Sequence, residues 1–285
     1  MQAAIAYIRK ELKDHYPPTE IEGLIRFLFA TWKQYNTTDL LLRKDEELNA
    51  ADQSYLAAAV ERLKKQEPVQ YILGETEFFG LPFRVTPDVL IPRPETEELV
   101  HWVLKAIPTH DPVIMDACTG SGCIAISLKK HLPAATVSGC DISPKALEMA
   151  HENARLNQTE INFLEMDLLN PSTSRSLQPF DVIVSNPPYV TEQEKRTMQE
   201  NVIRYEPHQA LFVPDHDPLK FYTALLRLGE RQLKEGGRQF WEINESYGKE
   251  CVALMKKNGY TGIELRRDIN GKNRMISGRY LRVKD

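Results

Sequence analysis

Asn186, Pro187, Pro188 and Tyr189 follow directly on an apolar run, residues 181–185, that reads as a buried strand. An amide, two rigid residues and an aromatic ring at a strand end suit one chemical task, which is holding a planar NH₂ group. The nitrogen of an amide or an exocyclic amine has its lone pair delocalised into a π-system and is a poor nucleophile. Asn186 can offer its side-chain oxygen, and Pro187 its backbone carbonyl, as acceptors for the two N–H bonds; this returns density to nitrogen and fixes its direction. Proline supplies that acceptor with a fixed φ and no competing donor, Pro188 stiffens the corner, and Tyr189 can lie against the flat group. No strong general base is needed, because a nitrogen that has gained a methyl group is cationic and sheds a proton to water. The bland alternative is a β-turn cap. Three earlier strand ends decide against it.

The first of these strands, in "PVIMDACTGSGC", ends at Asp116 and runs into Gly120 and Gly122 at a helix entry, where exposed N–H groups can face a ligand. The second ends at Asp141, about 20 residues on, where an acid accepts from both ribose hydroxyls of an adenosine. The third ends at Asp167, an acceptor for the adenine amino group. A glycine turn, a ribose acid and an adenine acid on consecutive strands point to an adenosyl cofactor. NAD fits less well, because "DACTGSGC" lacks the full G-x-G-x-x-G spacing. With S-adenosylmethionine bound there, the sulfonium methyl lies over the middle of the sheet, beside Asn186.

The elements that position these residues are strands alternating with amphipathic helices from residue 112 onward, "CIAISLKKHL" and "PKALEMAHENARL" among the helices and "FDVIVSN", "GRQFWEI", "GIELRRD" and "RMISGRYLRV" among the later strands. That order predicts an open α/β fold with a largely parallel sheet. Residues 1–67 read as helices only, with Ile5, Ile8 and Leu12 on one stripe and Thr19 and Glu22 in capping-box spacing, and they form a small bundle. "ETEFFGLPFRVT" reads as a hairpin, so 68–93 is a β-hairpin linker and 94–285 the cofactor-binding domain, with Pro94 in the first turn of its first helix.

The 285 residues are 42% hydrophobic and 27% charged, ordinary globular usage, and the net charge of -4 argues against an affinity built on neutralising phosphates. Four cysteines without a CxxC pair fit reduced thiols better than disulfides or zinc, so no metal is expected. The charged N-terminal stretch resembles neither a signal peptide nor a membrane span, which predicts a cytoplasmic protein.

"QYILGETEFFG", "LIPRPETEELV", "DACTGSG" and "DVIVSNPPYV", together with the helical start, resemble the release factor glutamine methyltransferases, PrmC/HemK, over nearly the whole chain. The last two motifs belong to a wider class of amino methyltransferases; "IPRPETE" joined to "QYILG" is far more specific. The resemblance implies a helical N-terminal domain for substrate recognition, a hairpin linker and a seven-stranded Rossmann-like methyltransferase domain whose last strand is antiparallel. It implies methyl transfer from S-adenosylmethionine to N5 of the glutamine in the Gly-Gly-Gln motif of class 1 peptide chain release factors, with no membrane partner and no direct nucleic-acid requirement. Carried over, Cys118, Thr119, Gly120, Ser121, Gly122, Asp141, Asp167, Leu168 and Asn186 bind the cofactor. Asn186, Pro187, Pro188 and Tyr189 hold the glutamine, and Arg93 lines the substrate channel.

The chain departs from the family at Cys118, where glycine is usual and cysteine suits only a negative φ, and at Leu168, aromatic in some relatives. Sibling enzymes that methylate a glutamine of a ribosomal protein are similar too, but there the corner tends to read Pro-Arg-Ser, so Pro94 favours a release factor. An N6-adenine methyltransferase acting on a flipped base uses the same Asn-Pro-Pro-Tyr logic; only the local cluster "LRRDINGKNRM" would serve it, and that reads as a solvated face. A non-catalytic binding module is the remaining alternative, and the intact Asn186 speaks against it.

Overall fold

A computed structural model describes residues 1–107, 111–170 and 178–281. The chain divides into two compact units: Met1–Thr76 with Val85–Pro87 and Met198–Glu206, and Glu77–Arg84 with Asp88–Thr197 and Pro207–Asp285.

The first unit holds α1 (Gln2–Leu12), α2 (Pro18–Lys33), α3 (Thr37–Leu42), α4 (Ala50–Lys64) and α5 (Val69–Leu73). Apolar residues at three- and four-residue steps turn one stripe of each long helix inward, and Ile8, Leu12, Ile25, Phe29, Val60 and Leu63 meet in a common core. Ala4 rather than Ile5 completes the buried stripe of α1. The capping box expected at Thr19 and Glu22 does not form. Helix α2 starts earlier, at Pro18, whose missing N–H is no loss at the first position, and Glu22 accepts from Arg9 Nε at 2.6 Å instead. Asn36 and Asp39 make a reciprocal capping box at the head of α3.

A hairpin follows, β1 (Glu75–Phe78) and β2 (Leu81–Arg84), turning through Phe79 and Gly80 at positive φ. Next come α6 (Pro94–Ala106), β3 (Val113–Ala117), α7 (Cys123–His131), β4 (Thr136–Asp141), α8 (Pro144–Leu156), β5 (Asn162–Glu165) and β6 (Phe180–Ser185). The chain continues through β7 (Val190–Thr191), α9 (Glu200–Tyr205, part of the first unit), α10 (His208–Leu211) and β8 (Phe212–Val213). It ends with α11 (Lys220–Gln232), β9 (Leu233–Glu242), α12 (Gly248–Lys257), β10 (Tyr260–Arg267) and β11 (Asn273–Tyr280). The last strand was expected over 274–283; residues 282 and 283 lie outside the described residues.

The main sheet has the order β10-β11-β9-β6-β3-β4-β5. Strands β9, β6, β3, β4 and β5 pair in parallel, and β11 runs antiparallel to both β9 and β10. This seven-stranded α/β sheet with an antiparallel final strand is the one the resemblance implies. Period-two alternation sends Ile114, Val182, Val184 and Phe240 to a core with α6 and α7, and Met115, Ile183 and Trp241 to one with α11 and α12. Both faces are covered, so the strands read as nearly continuous apolar runs. Asn153 of α8 fastens β2 to this unit, accepting from the Arg84 N–H at 2.7 Å and donating to the Arg84 carbonyl at 3.0 Å. The chain winds outward from β3 to β4 and β5, then in the other direction from β6 to β9. The crevice for a ligand therefore opens at the carboxyl ends of β3 and β6.

Candidate active site

A cavity of about 310 Å³ lies there, within the second unit, walled by the segments that follow β3, β4, β5 and β6. Cys118, Thr119, Gly120 and Ser121 form one side; Asp141, Ile142 and Ser143 the next; then Met166, Asp167 and Leu168; then Asn186 and Pro188. Leu90, Pro92, Arg93 and Thr96 close it from the start of α6, and Phe212, Lys220 and Phe221 from the later part of the chain. Gly122, Pro187 and Tyr189 are not among the lining residues.

The glycine-rich loop is built by its neighbours. Thr119 N–H donates to the Cys140 carbonyl at 2.9 Å, and Thr119 Oγ1 donates to Asp116 Oδ2 at 2.6 Å. Thr119 can sit so close to β4 because residue 139 is glycine: a Cβ there would meet Thr119 Oγ1 and the Phe163 ring at 2.9 Å. Gly122 caps α7 with φ +81°, and a Cβ on it would press on Ile126 and Ala150 at 3.0 and 3.2 Å. Its part is to bring α7 close, behind the cavity wall.

Cys118 has φ +61°, in the left-handed region that glycine enters freely and other residues enter at a cost of roughly 1–2 kcal/mol. The negative φ that would have suited cysteine is not adopted, and the loop keeps the glycine-type backbone while carrying a side chain. Burial, and then the neighbouring Asp141 carboxylate, push the Cys118 thiol well up, so it stays protonated.

Asp141 accepts from Gly120 N–H at 2.9 Å through Oδ2 and from Ser143 N–H at 3.0 Å through Oδ1. Burial pushes its carboxyl up and these backbone donors pull it down. The N–H groups of Ser143, Gly120 and Ile142 take up three of the roughly four lone-pair sites of a carboxylate, so an acceptor remains for a ribose hydroxyl. Asp167 Oδ1 accepts from Leu169 N–H at 2.9 Å, which turns the residue along the same wall, beside Leu168. The cavity's size, the acids of β4 and β5 and the helix start of α7 fit S-adenosylmethionine.

At the end of β6, Ser185 Oγ donates to the Ala117 carbonyl at 2.7 Å, tying the two central strand ends together. Pro187 and Pro188 are buried. Asn186 Nδ2 donates to Thr96 Oγ1 at 3.2 Å, and Thr96 Oγ1 donates to Glu242 Oε2 at 2.6 Å. The Tyr189 hydroxyl donates to Glu242 Oε1 at 2.8 Å, and the Tyr189 carbonyl accepts from Asn244 Nδ2 at 3.1 Å. Burial pushes the Glu242 carboxyl up; the hydrogen bonds from Thr96 and Tyr189 and the charge of Arg274 oppose the shift. Burial and Glu242 together push Tyr189 well up, so its hydroxyl is a donor.

Thr96 and Glu242 are site residues that sequence reasoning passed over. "IPRPETE" reads as a helix start through Pro94 and as a family motif, and neither reading singles out the threonine. Glu242 did carry the signal that found Asp116, Asp141 and Asp167, an acid closing an apolar strand. In the basic cluster near the C-terminus, Arg266 pairs with Glu264, Lys272 with Glu245, and Arg274 with Asp268. Among the described residues no helix is long and apolar enough to cross a membrane, and no group of acids, histidines and cysteines is placed to hold a metal.

The PrmC N-terminal domain family matches residues 3–74, and the Methyltransferase small domain family matches residues 97–211. A release factor glutamine methyltransferase from Bacteroides thetaiotaomicron is 43% identical over 97% of this chain and 99% of its own length. The protein of the same name from Flavobacterium psychrophilum is 46% identical over 90% of this chain and 91% of its own. Among solved structures, a methyltransferase from Pyrococcus furiosus superposes with a TM-score of 0.53 at 16% identity, covering 82% of this chain and all of that one, a likeness of fold.

Proposed function

The chain belongs to the release factor glutamine methyltransferase family, and from that membership we propose that it methylates N5 of the glutamine in the Gly-Gly-Gln motif of class 1 peptide chain release factors, with S-adenosylmethionine as donor. The observation that carries this reading is that Asn186, able to accept from an N–H, shares one cavity with the glycine loop and Asp141. Bound there, S-adenosylmethionine supplies an electrophilic methyl whose bond to sulfur breaks toward sulfur as the nitrogen lone pair bonds to carbon.

The chain's residues prepare the nitrogen. Asn186 Oδ1, on the cavity wall, accepts one of its N–H bonds and raises the electron density of a lone pair otherwise shared with the amide carbonyl; the second acceptor in this reading is the carbonyl of Pro187, which lies between the lining residues Asn186 and Pro188 and is not itself one of them. Tyr189 braces the corner through Glu242. The methylated nitrogen carries one proton too many and loses it to water, which restores a neutral secondary amide. The apolar lining from Leu90, Pro92 and Phe221 excludes water around the reacting atoms, where fixed dipoles act most strongly. Cys118 to Ser121, Asp141, Asp167 and Leu168 are the cofactor contacts, and Arg93 lines the route of the glutamine loop. The helices of residues 1–67 grip the release factor, because an exposed glutamine loop alone offers little contact area. This work belongs in the cytoplasm, where release factors act.

The test is mass spectrometry of purified release factors after incubation with the chain and S-adenosylmethionine. A gain of one methyl on the Gly-Gly-Gln peptide supports the reading. A methyl found instead on a ribosomal protein or on adenine, with none on the factor, overturns it.

A further inference from the structure

Thr96 Oγ1 stands between two polar groups, 2.6 Å from Glu242 Oε2 and 3.2 Å from Asn186 Nδ2. Glu242 accepts from the Thr96 hydroxyl at Oε2 and from the Tyr189 hydroxyl at Oε1, so the single hydroxyl proton of Thr96 is committed to Glu242. The Thr96 oxygen then has only lone pairs left to offer. Asn186 must therefore turn its NH₂ toward Thr96, which leaves Oδ1 on the other arm of the amide. A carboxamide rotated by 180° has nearly the same shape, so sterics do not choose between the two orientations; only the hydrogen-bond partners do. The second oxygen of the same carboxylate is also engaged, by the Tyr189 hydroxyl at 2.8 Å.

We propose that Glu242 is a positioning residue which, acting through Thr96, selects the orientation of Asn186 that presents an acceptor to the substrate nitrogen. The inference rests on the reading that the substrate is a carboxamide NH₂. In the opposite orientation Asn186 would set its own NH₂ against that of the substrate, donor facing donor, and the reacting lone pair would receive no help. Glu242 is 1% exposed and does not line the cavity, so it acts on the reaction only through its neighbours. Burying a carboxylate is costly, and an apolar residue of similar size would serve packing at least as well. An acid at this position makes sense as the fixed acceptor at the end of a relay: it defines the direction of the Thr96 hydroxyl, which defines the direction of the Asn186 amide.

The experiment is steady-state methylation of a purified release factor by the full chain and by Glu242→Gln, Thr96→Val and Thr96→Ser. Glutamine at 242 can donate to Thr96, free that hydroxyl to donate to Asn186 Oδ1, and so reverse the relay. Valine at 96 is close in shape to threonine and removes the relay altogether. Both variants are expected to lose about 10²-fold in kcat, with KM for the factor and calorimetric affinity for S-adenosylmethionine within about threefold of the parent. Thr96→Ser, which keeps the hydroxyl, is expected to recover most of that loss. A readout without turnover accompanies these: in ¹⁵N-labelled protein the Asn186 side-chain amide protons exchange more slowly in the parent than in Thr96→Val. If Glu242→Gln does not fold, Thr96→Val and Thr96→Ser decide alone. A parent chain that methylates no release factor overturns the functional reading and the relay's role with it. A parent that does, beside folded Thr96→Val of near-equal kcat, overturns the relay alone.

Discussion

The backbone N–H of Gly120 donates to Asp141 Oδ2 at 2.9 Å, so the glycine loop after β3 and the acid at the end of β4 form one structural piece across 21 residues of chain. The same carboxylate holds Ser143 N–H through its other oxygen. Asp141 thus shapes the cavity wall as well as facing into it.

Replacing Asp141 by alanine is expected to weaken S-adenosylmethionine binding by roughly 10- to 100-fold, the loss of hydrogen bonds to a charged acceptor. Isothermal titration calorimetry measures it directly. Unchanged affinity in a folded variant would remove Asp141 from the ribose site.

Asn186→Ala removes the acceptor proposed for the substrate nitrogen, and kcat is expected to fall by about 10²–10³. Cofactor affinity should suffer much less, because the glycine loop and Asp141 remain. Initial-rate kinetics alongside calorimetry separate the two effects, and a variant that turns over at the parental rate would end the role assigned to Asn186.

At Cys118 the left-handed backbone reverses an ordinary preference. Cys118→Gly and Cys118→Ala both lose the thiol, and only alanine keeps a Cβ at φ +61°. The glycine variant is expected to be the more stable by about 1 kcal/mol, where at a normal backbone position alanine leads by a similar margin. Urea denaturation of the pair checks the sign; an advantage for alanine would mean that the loop relaxes out of the left-handed region.

Asp116 gives a pH signature. Its carboxyl is pushed from 3.8 up to about 7, chiefly by burial, with the Thr119 hydroxyl and Ala125 N–H pulling the other way. Between those values the unfolded chain has released a proton that the folded one retains. The contribution of this group is therefore full below about pH 4 and declines as pH rises toward 7, at up to about 1.4 kcal/mol per pH unit. Asp116→Asn is expected to flatten that slope, so the variant gains on the parent from pH 5 to pH 8. Parallel stability curves across that range, followed by urea unfolding, would refute the assignment.

Much of the architecture was legible in the chain. Strands with nearly continuous apolar residues and helices with a 3.6-residue stripe announced a covered parallel sheet, and acids or glycines just past each strand marked where its carboxyl end would lie. Asp141, Asp167 and Asn186 could be located because a strand fixes the direction of the residue that follows it. The start of α2 was misplaced because a proline at the first helical position and a threonine cap compete within two residues, and the local pattern does not rank them. Glu22 went to Arg9 of another helix, a partner that no spacing rule within α2 can name.

The sequence by itself determined the order of elements, the residues at each strand end and the chemistry those residues are able to do, because hydrophobic period and residue type are local properties. Tertiary structure alone decided the left-handed backbone of Cys118, the turning away of Tyr189 toward Glu242, and the meeting of Thr96 with Glu242 across 146 residues. These follow from how packed elements bring distant side chains into a low-dielectric interior, where each buried donor must find an acceptor. Which partner it finds depends on the whole sheet.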